Sequence, residues 1–405
     1  MNIARIKNII ISRLIKPTLS FLLPSLSYLV PKQKNLILFG SYLGKHFGDN
    51  GGFLYEYCLK YHGDEFRYVW LTDNGDVISH VRGLGGEACL KSSLKGLWYS
   101  VRAVLIVTSY GIRDVLLYEP YRGFPKELYL SHGAAFRKTL MVEEGGMRCD
   151  SSMTRNRGTM DYLTVISQWN AEYEKSSFGL FSSQIRVTGY PRNDIFCGNY
   201  DTIIQRIIKK YGLALYNILY VPTWRKHEPT NFFPFPDCDI EKIAGFLKEK
   251  NMNIILRPHM VDMRRQKRNE QFWLNIKKYR DVMKIITIDV YTDIQLLMCL
   301  ADCLITDYSS IQLDYLLLSR PMIFMPYDIE YFNRVGGFHC DYDEFTPGPK
   351  PRTQKEFLEC LEMFHKGEDP FFEKRLQIRD TVHDYKDGQS CRRVYELIKE
   401  ISDSV

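Results

Sequence analysis

The stretch that decides the fold is residues 303–314, which read CLITDYSSIQLD. Its first four residues, Cys303 to Thr306, predict a short buried strand, and the next two predict a turn. A helix is expected to open at Ser309 and Ser310, because leucines follow at helical spacing. A strand that leads directly into a helix is typical of α/β folds with parallel sheets.

The two serines give this corner a chemical role as well as a structural one. Ser309 and Ser310 place two hydroxyls beside backbone N–H groups at a helix start, which suits a phosphate group. Asp314 falls four residues after Ser310 on the same helix face, and ligands bind at the carboxyl edge of open α/β sheets. The alternative is that Ser309 only caps the helix. The residues indicate a phosphate-bearing ligand, and Asp307 and Asp314 leave a Mg²⁺ ion open.

Length, composition and charge exclude several classes of protein. The 405 residues suggest two or three domains, and 45% apolar with 25% charged residues is ordinary for a globular protein. The net charge of +6 permits an anionic partner. Beyond the first residues no basic run is interleaved with aromatics, so no nucleic-acid partner is expected. The ten cysteines are scattered without a paired C-x-x-C framework, which favours reduced thiols in a cytosolic compartment.

Residues 1–31 differ in composition from the rest of the chain. Basic residues alternate with isoleucines and leucines, two prolines interrupt the apolar run, and the first acidic residue of the chain is Asp49. The charges and prolines argue against a transmembrane helix, and no small-residue cleavage site follows for a signal peptide. A basic amphipathic segment on an anionic membrane surface fits better. The alternative is a surface helix that packs on its own domain.

The remaining chain alternates strands with helices, which predicts parallel sheets joined by crossovers. Apolar runs predict strands that begin near residues 35, 67, 103, 128 and 161, and then near 217, 253, 283, 303 and 321. A basic helix from Thr202 to Tyr211 marks the passage between two domains, expected at 32–200 and 201–405. The glycines between residues 40 and 52 do not match a dinucleotide-binding fingerprint.

A second candidate site follows the predicted strand near residue 128. The run LYLSHGAAFRK, residues 128–138, ends its strand in His132 and Gly133, with Arg137 and Lys138 close behind. A histidine at a strand's carboxyl end, with a glycine giving room for substrate, suits a general base. The alternative is a histidine with a purely structural role.

Another histidine ends the predicted strand near residue 253. The run NIILRPH, residues 253–259, finishes in Arg257 and His259, a basic corner of the same kind. A buried structural histidine is again the alternative.

Two further turns carry arginines. In VTGYPRND, residues 187–194, Arg192 is a candidate contact for phosphate or acceptor, and a solvated loop arginine is the alternative. The strand that opens near residue 217 ends in a polar turn that contains Thr223 and Arg225.

Several of these segments resemble the CDP-glycerol glycerophosphotransferase family, the enzymes of teichoic acid and related capsule synthesis. The resemblance spans most of the chain from about residue 35 to residue 350. It is carried by LITDYSS at 304–310, the His-Gly pair with its basic cluster at 132–138, GYPRND at 189–194, YVPTWR at 220–225 and DYDEFTPGP at 341–349.

The resemblance implies a GT-B fold, in which two Rossmann-like domains face each other across a cleft and the carboxyl-terminal domain holds most of the donor nucleotide. The implied reaction transfers glycerol phosphate from CDP-glycerol to a hydroxyl of a lipid-linked saccharide or growing polymer, with release of CMP. Such an enzyme would work as a peripheral protein at the cytoplasmic face of the cell membrane.

The resemblance also implies roles for the candidate residues. His132 would deprotonate the acceptor hydroxyl, beside Gly133 and the basic cluster, and Thr223 and Arg225 would face the cleft. Phosphoryl transfer needs its negative charge neutralised and its leaving group helped. His259, Arg257 and the two serines would neutralise the diphosphate, and His259 is a candidate proton donor to CMP.

Other functions stay open from the sequence. The first is a glycosyltransferase of the same architecture that uses a nucleotide sugar. The second is a related transferase that uses CDP-ribitol. The third, from a different class, is a peripheral membrane-binding protein that keeps the fold but has lost catalysis.

Overall fold

The computed structural model describes residues 16–118, 125–134, 136, 160–225, 230–259, 270–334 and 337–404, with the backbone alone for 16–21. These residues form two compact units. The first unit holds the described residues up to His132, those from 160 to Asp194, and those from Asp387 onward. The second unit holds the described residues of Gly133–Gly145 together with Ile195–Lys386.

A seven-stranded parallel sheet organises the first unit. Its strands are β1 Gln33–Phe39, β2 Arg67–Thr72, β3 Glu87–Leu90, β4 Ala103–Thr108, β5 Lys126–Tyr129, β6 Met160–Val165 and β7 Ile185–Val187. They lie in the order β3-β2-β1-β4-β5-β6-β7. Helices of this unit are α1 Lys16–Leu29, α2 Asp49–His62, α3 Gly75–Gly83, α4 Leu94–Arg102 and α5 Gln168–Phe178.

The second unit contains a five-stranded parallel sheet. Its strands are β8 Tyr216–Tyr220, β9 Met252–Leu256, β10 Met283–Ile285, β11 Cys303–Thr306 and β12 Met322–Phe324, in the order β10-β9-β8-β11-β12. Its helices are α6 Asp201–Tyr211, α7 Ile240–Glu249, α8 Glu270–Lys278, α9 Ile294–Leu300, α10 Ile311–Tyr315, α11 Ile329–Arg334, α12 Gln354–His365 and α13 Phe372–Val382.

Both sheets change their winding direction beside their first strand. β1 pairs in parallel with β2 on one side and β4 on the other, and β8 does the same with β9 and β11. The prediction of an α/β fold with parallel sheets is therefore confirmed. In doubly wound sheets, ligands bind outside the carboxyl ends of the strands at such a switch point. The residues that follow β1, β4, β8 and β11 are the first place to look for a site.

The last helix, α14 Ser390–Asp403, packs in the first unit. Val394, Ile398 and Ile401 on its apolar face lie in the same buried cluster as Phe39 and Trp70. The sequence analysis placed 201–405 in one domain, and the structure differs there. The reason is physical, because the strongly one-sided apolar pattern of this helix covers a face of the first sheet.

The start of α14 is tied to the first unit as well. The backbone N–H groups of Ser390 and Cys391 donate to the Asp194 carboxylate, at 2.8 and 2.7 Å. Asp194 therefore supplies the hydrogen bonds that the first turn of a helix cannot make internally.

The helix after β11 is shorter than its leucine spacing predicts. α10 has five residues and is followed by a 3₁₀ turn at Leu316–Leu318, which ends at Ser319 with φ +53°. A helix of five residues has only a small dipole. The expected binding of phosphate at its start therefore depends on the serine hydroxyls.

Part of the predicted membrane segment is a helix of the first unit. The described residues of α1 pack against α4, where Leu23 is buried and the Ser27 hydroxyl lies 3.4 Å from the Val101 carbonyl. Residues 1–15, with Arg5, Lys7 and Arg13, lie outside the described residues. Within the described chain, no helix is long and apolar enough to cross a membrane.

Candidate active site

The carboxyl end of β4 is a rigid corner held by a buried carboxylate. Asp114 accepts backbone hydrogen bonds from Ser109 (2.8 Å), Tyr110 (2.7 Å) and Leu43 (2.7 Å). Burial raises the pKa of Asp114 to about 6, although these hydrogen bonds act to lower it. The chain after β1 approaches this corner closely, since a Cβ on Gly40 would lie 2.5 Å from the Asp114 carbonyl oxygen. The loops after β1 and β4 are therefore locked together.

His132 lies at the next strand end, three residues after β5. The preceding residue, Ser131, has φ +58°, and this turn is held by the Asn50 side-chain amide, which donates to the carbonyls of Leu130 (3.2 Å) and Ser131 (2.9 Å). A left-handed residue before the histidine turns the chain sharply away from the strand direction. His132 is consequently exposed to solvent at the edge of the sheet.

The His132 imidazole is surrounded by groups that affect its protonation. Desolvation by the neighbouring protein lowers the pKa of His132 below its ordinary value, Asp49 raises it, and Arg192 lowers it. One ring nitrogen, Nδ1, lies 3.4 Å from the Tyr129 hydroxyl. A lowered pKa keeps the ring neutral at neutral pH, which is the state in which it can accept a proton.

Arg192 ties the loops around His132 together. Its guanidinium donates to the Asp49 carboxylate at 2.7 Å and to the His132 carbonyl at 2.8 Å, and its backbone N–H donates to Asn50 Oδ1 at 3.1 Å. Arg192 and Asp49 are both buried. The sequence analysis offered Arg192 as a contact for phosphate or acceptor, whereas the structure shows its charge neutralised by Asp49. Its role in the described structure is to hold the main chain at His132.

The carboxyl ends of β8 and β11 meet at Asp307 in the second unit. Asp307 Oδ1 accepts hydrogen bonds from the backbone N–H groups of Thr223 (2.8 Å) and Tyr308 (2.6 Å), and Oδ2 accepts one from the Arg225 guanidinium (2.8 Å). The backbone carbonyl of Asp307 accepts a hydrogen bond from the Tyr342 hydroxyl at 3.0 Å. Asp307 therefore joins the two strand ends at the switch point of the sheet.

Acidic side chains and aromatic rings among the described residues surround the Arg225 guanidinium. It forms a two-pronged ion pair with Asp328, at 2.8 and 2.9 Å, and a further ion pair with Asp307. Its guanidinium also lies near the rings of Tyr308, Tyr327 and Phe332. Burial lowers the pKa of Arg225, but the two carboxylates more than offset that and raise it overall. The expectation that Arg225 faces a cleft stays a prediction; in the described structure the side chain is 4% exposed and its charge is paired with Asp307 and Asp328.

Thr223, Ser309 and Ser310 leave hydroxyls at this corner. Thr223 Oγ1 is buried and makes no hydrogen bond with the described part of the chain. Ser309 Oγ accepts only a long bond, 3.4 Å, from the Ile311 N–H, and the Ser310 side chain forms no capping bond to α10. Both serines are half-buried. The idea that Ser309 caps the helix thus has weak geometric support, and these hydroxyls suit a ligand.

The neighbouring strand end carries Arg257 and His259. The Arg257 guanidinium donates to the carbonyls of Ile286 and Thr292, both at 3.1 Å, and to that of Tyr291 at 2.5 Å. It therefore secures the segment after β10. His259, by contrast, is exposed to solvent, so the expected corner is divided between a structural arginine and an accessible histidine.

The other candidate residues have simpler placements. Gly133 is half-buried beside His132, and Arg137 and Lys138 lie outside the described residues. Asp314 is buried. Burial lowers the pKa of the nearby His383, and the Asp314 charge opposes this by a smaller amount.

Binding of a Mg²⁺ ion at Asp307 and Asp314 stays a prediction. Both oxygens of Asp307 already accept hydrogen bonds from the protein. Among the described residues no group of three His, Cys, Asp or Glu side chains is arranged to hold a metal ion.

Some residues of the site were missed in the sequence. Asp49 and Asn50 lie at the start of α2, and Asp49 has φ +54° directly after Gly48 with φ +136°. The signal was available as two short polar residues between glycines, which is typical of a turn that presents polar groups. Asp328 follows β12 in the run Met325-Pro-Tyr-Asp328, where a proline and a short polar residue also indicate a turn.

Two doubly wound parallel sheets, each with an accessible histidine at a strand end, have the architecture of enzymes that bind a nucleotide at a switch point. Residues 22–400 match the family described as CDP-glycerol:poly(glycerophosphate) glycerophosphotransferase. The chain belongs to this family, and it is a glycerophosphotransferase. The family and the enzyme class predicted from the sequence are confirmed.

Individual relatives agree with the family match. The chain is 28% identical over 383 residues to the teichoic acid glycerol-phosphate transferase of Staphylococcus aureus (strain NCTC 8325 / PS 47), covering 90% of this chain and 93% of that protein. It is 25% identical to the teichoic acid ribitol-phosphate primase of Bacillus spizizenii (strain ATCC 23059 / NRRL B-14472 / W23), covering 96% and 97%. A solved structure of the wall teichoic acid polymerase TagF, soaked with CDPG, has a similar fold, with a TM-score of 0.80, 24% identity and coverage of 98% and 96%.

Proposed function

We propose that this enzyme transfers glycerol phosphate from CDP-glycerol to a hydroxyl of a lipid-linked saccharide or growing polymer in teichoic acid synthesis. The acceptor oxygen forms a bond to the phosphorus that carries glycerol, and the bond from that phosphorus to the CMP oxygen breaks. The acceptor proton goes to His132, and His259 supplies a proton to the departing CMP. Atoms and charge balance without a further reactant.

The observation that carries this proposal is the accessible, neutral His132 at a strand end in a chain of this family. Tyr129, Asn50 and Arg192 fix its surroundings, so the imidazole is presented with a defined main-chain geometry. Positioning of this kind is the main contribution a protein makes to phosphoryl transfer.

The second unit is proposed to hold the donor. Thr223, Ser309 and Ser310 offer hydroxyls to the diphosphate where β8 and β11 end, and the accessible His259 lies at the end of the adjacent strand β9. A GT-B fold built from two Rossmann-like units completes the proposal. The arginines act behind this surface, where they keep the loops in place.

Donor identity is tested by product release. We expect the purified protein, given an acceptor, to release CMP from CDP-glycerol and to release little from CDP-ribitol or UDP from UDP-sugars. Faster release from CDP-ribitol would select the ribitol alternative, and release of UDP would select a glycosyltransferase. Absence of any release, with binding of CDP-glycerol retained in calorimetry, would support a binding protein that has lost catalysis.

A lipid-linked acceptor stays in the bilayer, and one face of the first unit suits the bilayer surface. α1 exposes Leu22, Leu26 and Leu29 along one stripe, and α4 exposes Leu94 and Trp98, which are 88% and 48% accessible. Apolar residues at such helical spacing insert into the headgroup boundary of a membrane.

The chain directly after α1 is hydrogen-bonded to the end of α4, and both of these segments carry basic residues. Lys32 Nζ donates to the Val101 carbonyl at 2.8 Å, and Arg102 Nε donates to the Pro31 carbonyl at 3.3 Å. Neither residues 1–48 nor residues 91–102 contain an acidic residue. This charge pattern supports an anionic bilayer as the proposed partner of the face and is in keeping with the proposal of a peripheral protein at the cytoplasmic side.

The membrane face is tested without removing the buried part of α1. We expect a variant with Leu26→Asn, Leu29→Asn and Trp98→Gln to sediment much less with phosphatidylglycerol vesicles, because it loses buried apolar surface. Added salt should weaken binding of the unmodified protein, since each basic residue contributes about 1 kcal/mol near an anionic surface. Turnover on a short soluble acceptor should be unchanged.

A matched control is Leu215→Asn, which replaces another highly exposed leucine in the second unit. It should bind vesicles as the unmodified protein does. If the triple variant also binds normally, the α1–α4 face is not the docking surface, and a deletion of residues 1–15 would then locate the contact.

A further inference from the structure

Each candidate histidine lies face to face with an aromatic ring from the neighbouring strand end. The His132 and Tyr110 rings have centroids 4.6 Å apart and planes inclined by 15°. The His259 and Trp224 rings have centroids 5.9 Å apart and planes inclined by 24°. Both are stacked arrangements within the range in which aromatic pairs attract each other.

The two pairs lie on opposite sides of the switch points of their sheets, but both are built from a strand beside the switch point and its outer neighbour. Tyr110 follows β4, which pairs with β5, the strand that leads to His132. Trp224 follows β8, which pairs with β9, the strand that leads to His259. In both units, therefore, the ring is supplied by the strand nearer to the switch point, and the histidine by the next strand outward.

Buried aspartates fix the main chain that carries both rings. Tyr110 donates its backbone N–H to Asp114 at 2.7 Å. Thr223, directly before Trp224, donates its backbone N–H to Asp307 at 2.8 Å. Each aromatic ring thus projects from a backbone that cannot shift without breaking a hydrogen bond to a buried carboxylate, which costs more than a hydrogen bond to a neutral group.

An exposed histidine needs such a support to act in catalysis. Two side-chain torsions determine where its nitrogens point, and solvent does not restrict them. A ring stacked on one face fixes the plane of the imidazole and leaves the edge of the imidazole, which carries the nitrogens, uncovered by the stack. The electron-rich face of the aromatic ring also favours the imidazolium that forms when a histidine takes up a proton.

We propose that Tyr110 and Trp224 are positioning residues, which hold His132 and His259 in the ring orientation that proton transfer requires. This inference rests on the proposed function, in which the two histidines move protons. Neither ring is required to contact the substrate. Any planar aromatic side chain should serve, whereas an aliphatic side chain of similar volume should not.

The test compares an aromatic and an aliphatic replacement. Tyr110→Phe and Trp224→Phe should keep kcat within about threefold, because a ring remains to stack upon. Tyr110→Leu and Trp224→Leu should each lower kcat by roughly 10- to 100-fold with little change in KM, since misplacement of a catalytic group by about 1 Å can cost that much. Phe181→Leu, a change at an exposed ring elsewhere in the first unit, should leave kcat unaltered.

A double-mutant cycle separates positioning from a general structural role. If Tyr110 acts only through His132, Tyr110→Leu should cause no further loss in a His132→Ala background, and Trp224→Leu should cause none with His259→Ala. Additive losses, or leucine variants with the kcat of the unmodified enzyme, would overturn the inference. Circular dichroism and calorimetric binding of CDP-glycerol establish that each variant is folded.

The outcomes also distinguish this inference from the proposed function. A fully active His132→Ala enzyme would refute the base assignment, whatever the aromatic variants do. An inactive His132→Ala enzyme together with an active Tyr110→Leu enzyme would leave the base assignment standing and refute positioning alone.

Discussion

Replacing His132 by alanine is expected to lower turnover by about 10²- to 10⁴-fold, the contribution of a general base in proton transfer. The fold should survive, because the imidazole is exposed and its loop is held by Asn50 and Arg192 through main-chain atoms. CDP-glycerol binding should also survive, since the donor is assigned to the second unit. The measurement is CMP release under saturating donor and acceptor, with calorimetric donor binding on the same preparation.

The pH dependence adds a second readout for the same residue. Because desolvation lowers the pKa of His132 from its ordinary 6.5, the ring stays neutral to a lower pH than a free histidine would. The acidic limb of kcat/KM should therefore lie below pH 6.5 and disappear in His132→Ala.

The control for this variant is His80→Ala, which changes an exposed histidine of α3 in the same unit. It should keep both the turnover and the pH profile of the unmodified enzyme. An active His132→Ala enzyme with an unchanged acidic limb would remove His132 from the mechanism.

Asp307→Asn is expected to produce the largest loss of stability among single changes at the site. An asparagine keeps the shape and can still accept the bonds from Thr223 and Tyr308, but its NH₂ group would then face the Arg225 guanidinium, a donor against a donor. Removing one partner of a buried ion pair costs about 3 to 5 kcal/mol. We expect the lower end, about 3 kcal/mol, because Asp328 still neutralises Arg225.

Urea unfolding followed by circular dichroism measures this loss as a lower midpoint. Asp343→Asn is the matched control. The Asp343 side chain is 81% exposed, and its Oδ1 atom lies 3.3 Å from Lys350 Nζ. Such a pair contributes less than about 1 kcal/mol. Equal urea midpoints for the two variants would show that Asp307 does not stabilise the junction of β8 and β11.

The sequence predicted the central strands well because their signal is local. The predicted starts of β2 and β4 and both predicted bounds of β11 coincide with the observed ones, and each strand is an apolar run that ends at a polar residue. β3 and β7 were missed, since Glu87–Leu90 and Ile185–Val187 have only four and three residues and include charged side chains. Edge strands of this length carry too little periodicity to be recognised.

Candidate site residues were found where chemistry follows directly after a strand. His132 and His259 both satisfy that rule, and the structure places both in accessible positions at strand ends. Their roles in proton transfer stay predictions. The same rule selected Arg192, Arg225 and Arg257, and their roles as ligand contacts also stay predictions, although each guanidinium bonds to the protein itself.

The sequence alone does not indicate which carboxylate pairs with a given arginine. Arg192 is paired with Asp49, 143 residues away, and Arg225 with Asp328, 103 residues away. A local reading gives the charge but not the carboxylate that neutralises it. In the described structure Arg192 holds the main chain at His132, whereas Arg225 and Arg257 hold the segments that follow β8 and β10.

The packing of α14 in the first unit has a consequence for biosynthesis. Phe39 on β1 shares its buried cluster with Ile398, so about 360 residues of chain separate two halves of one core. At the usual pace of translation, 5 to 20 residues per second, roughly 20 to 70 s pass between their emergence from the ribosome. During that interval the nascent first unit presents an uncovered apolar sheet face, so chaperones would meet this protein while it is still being made.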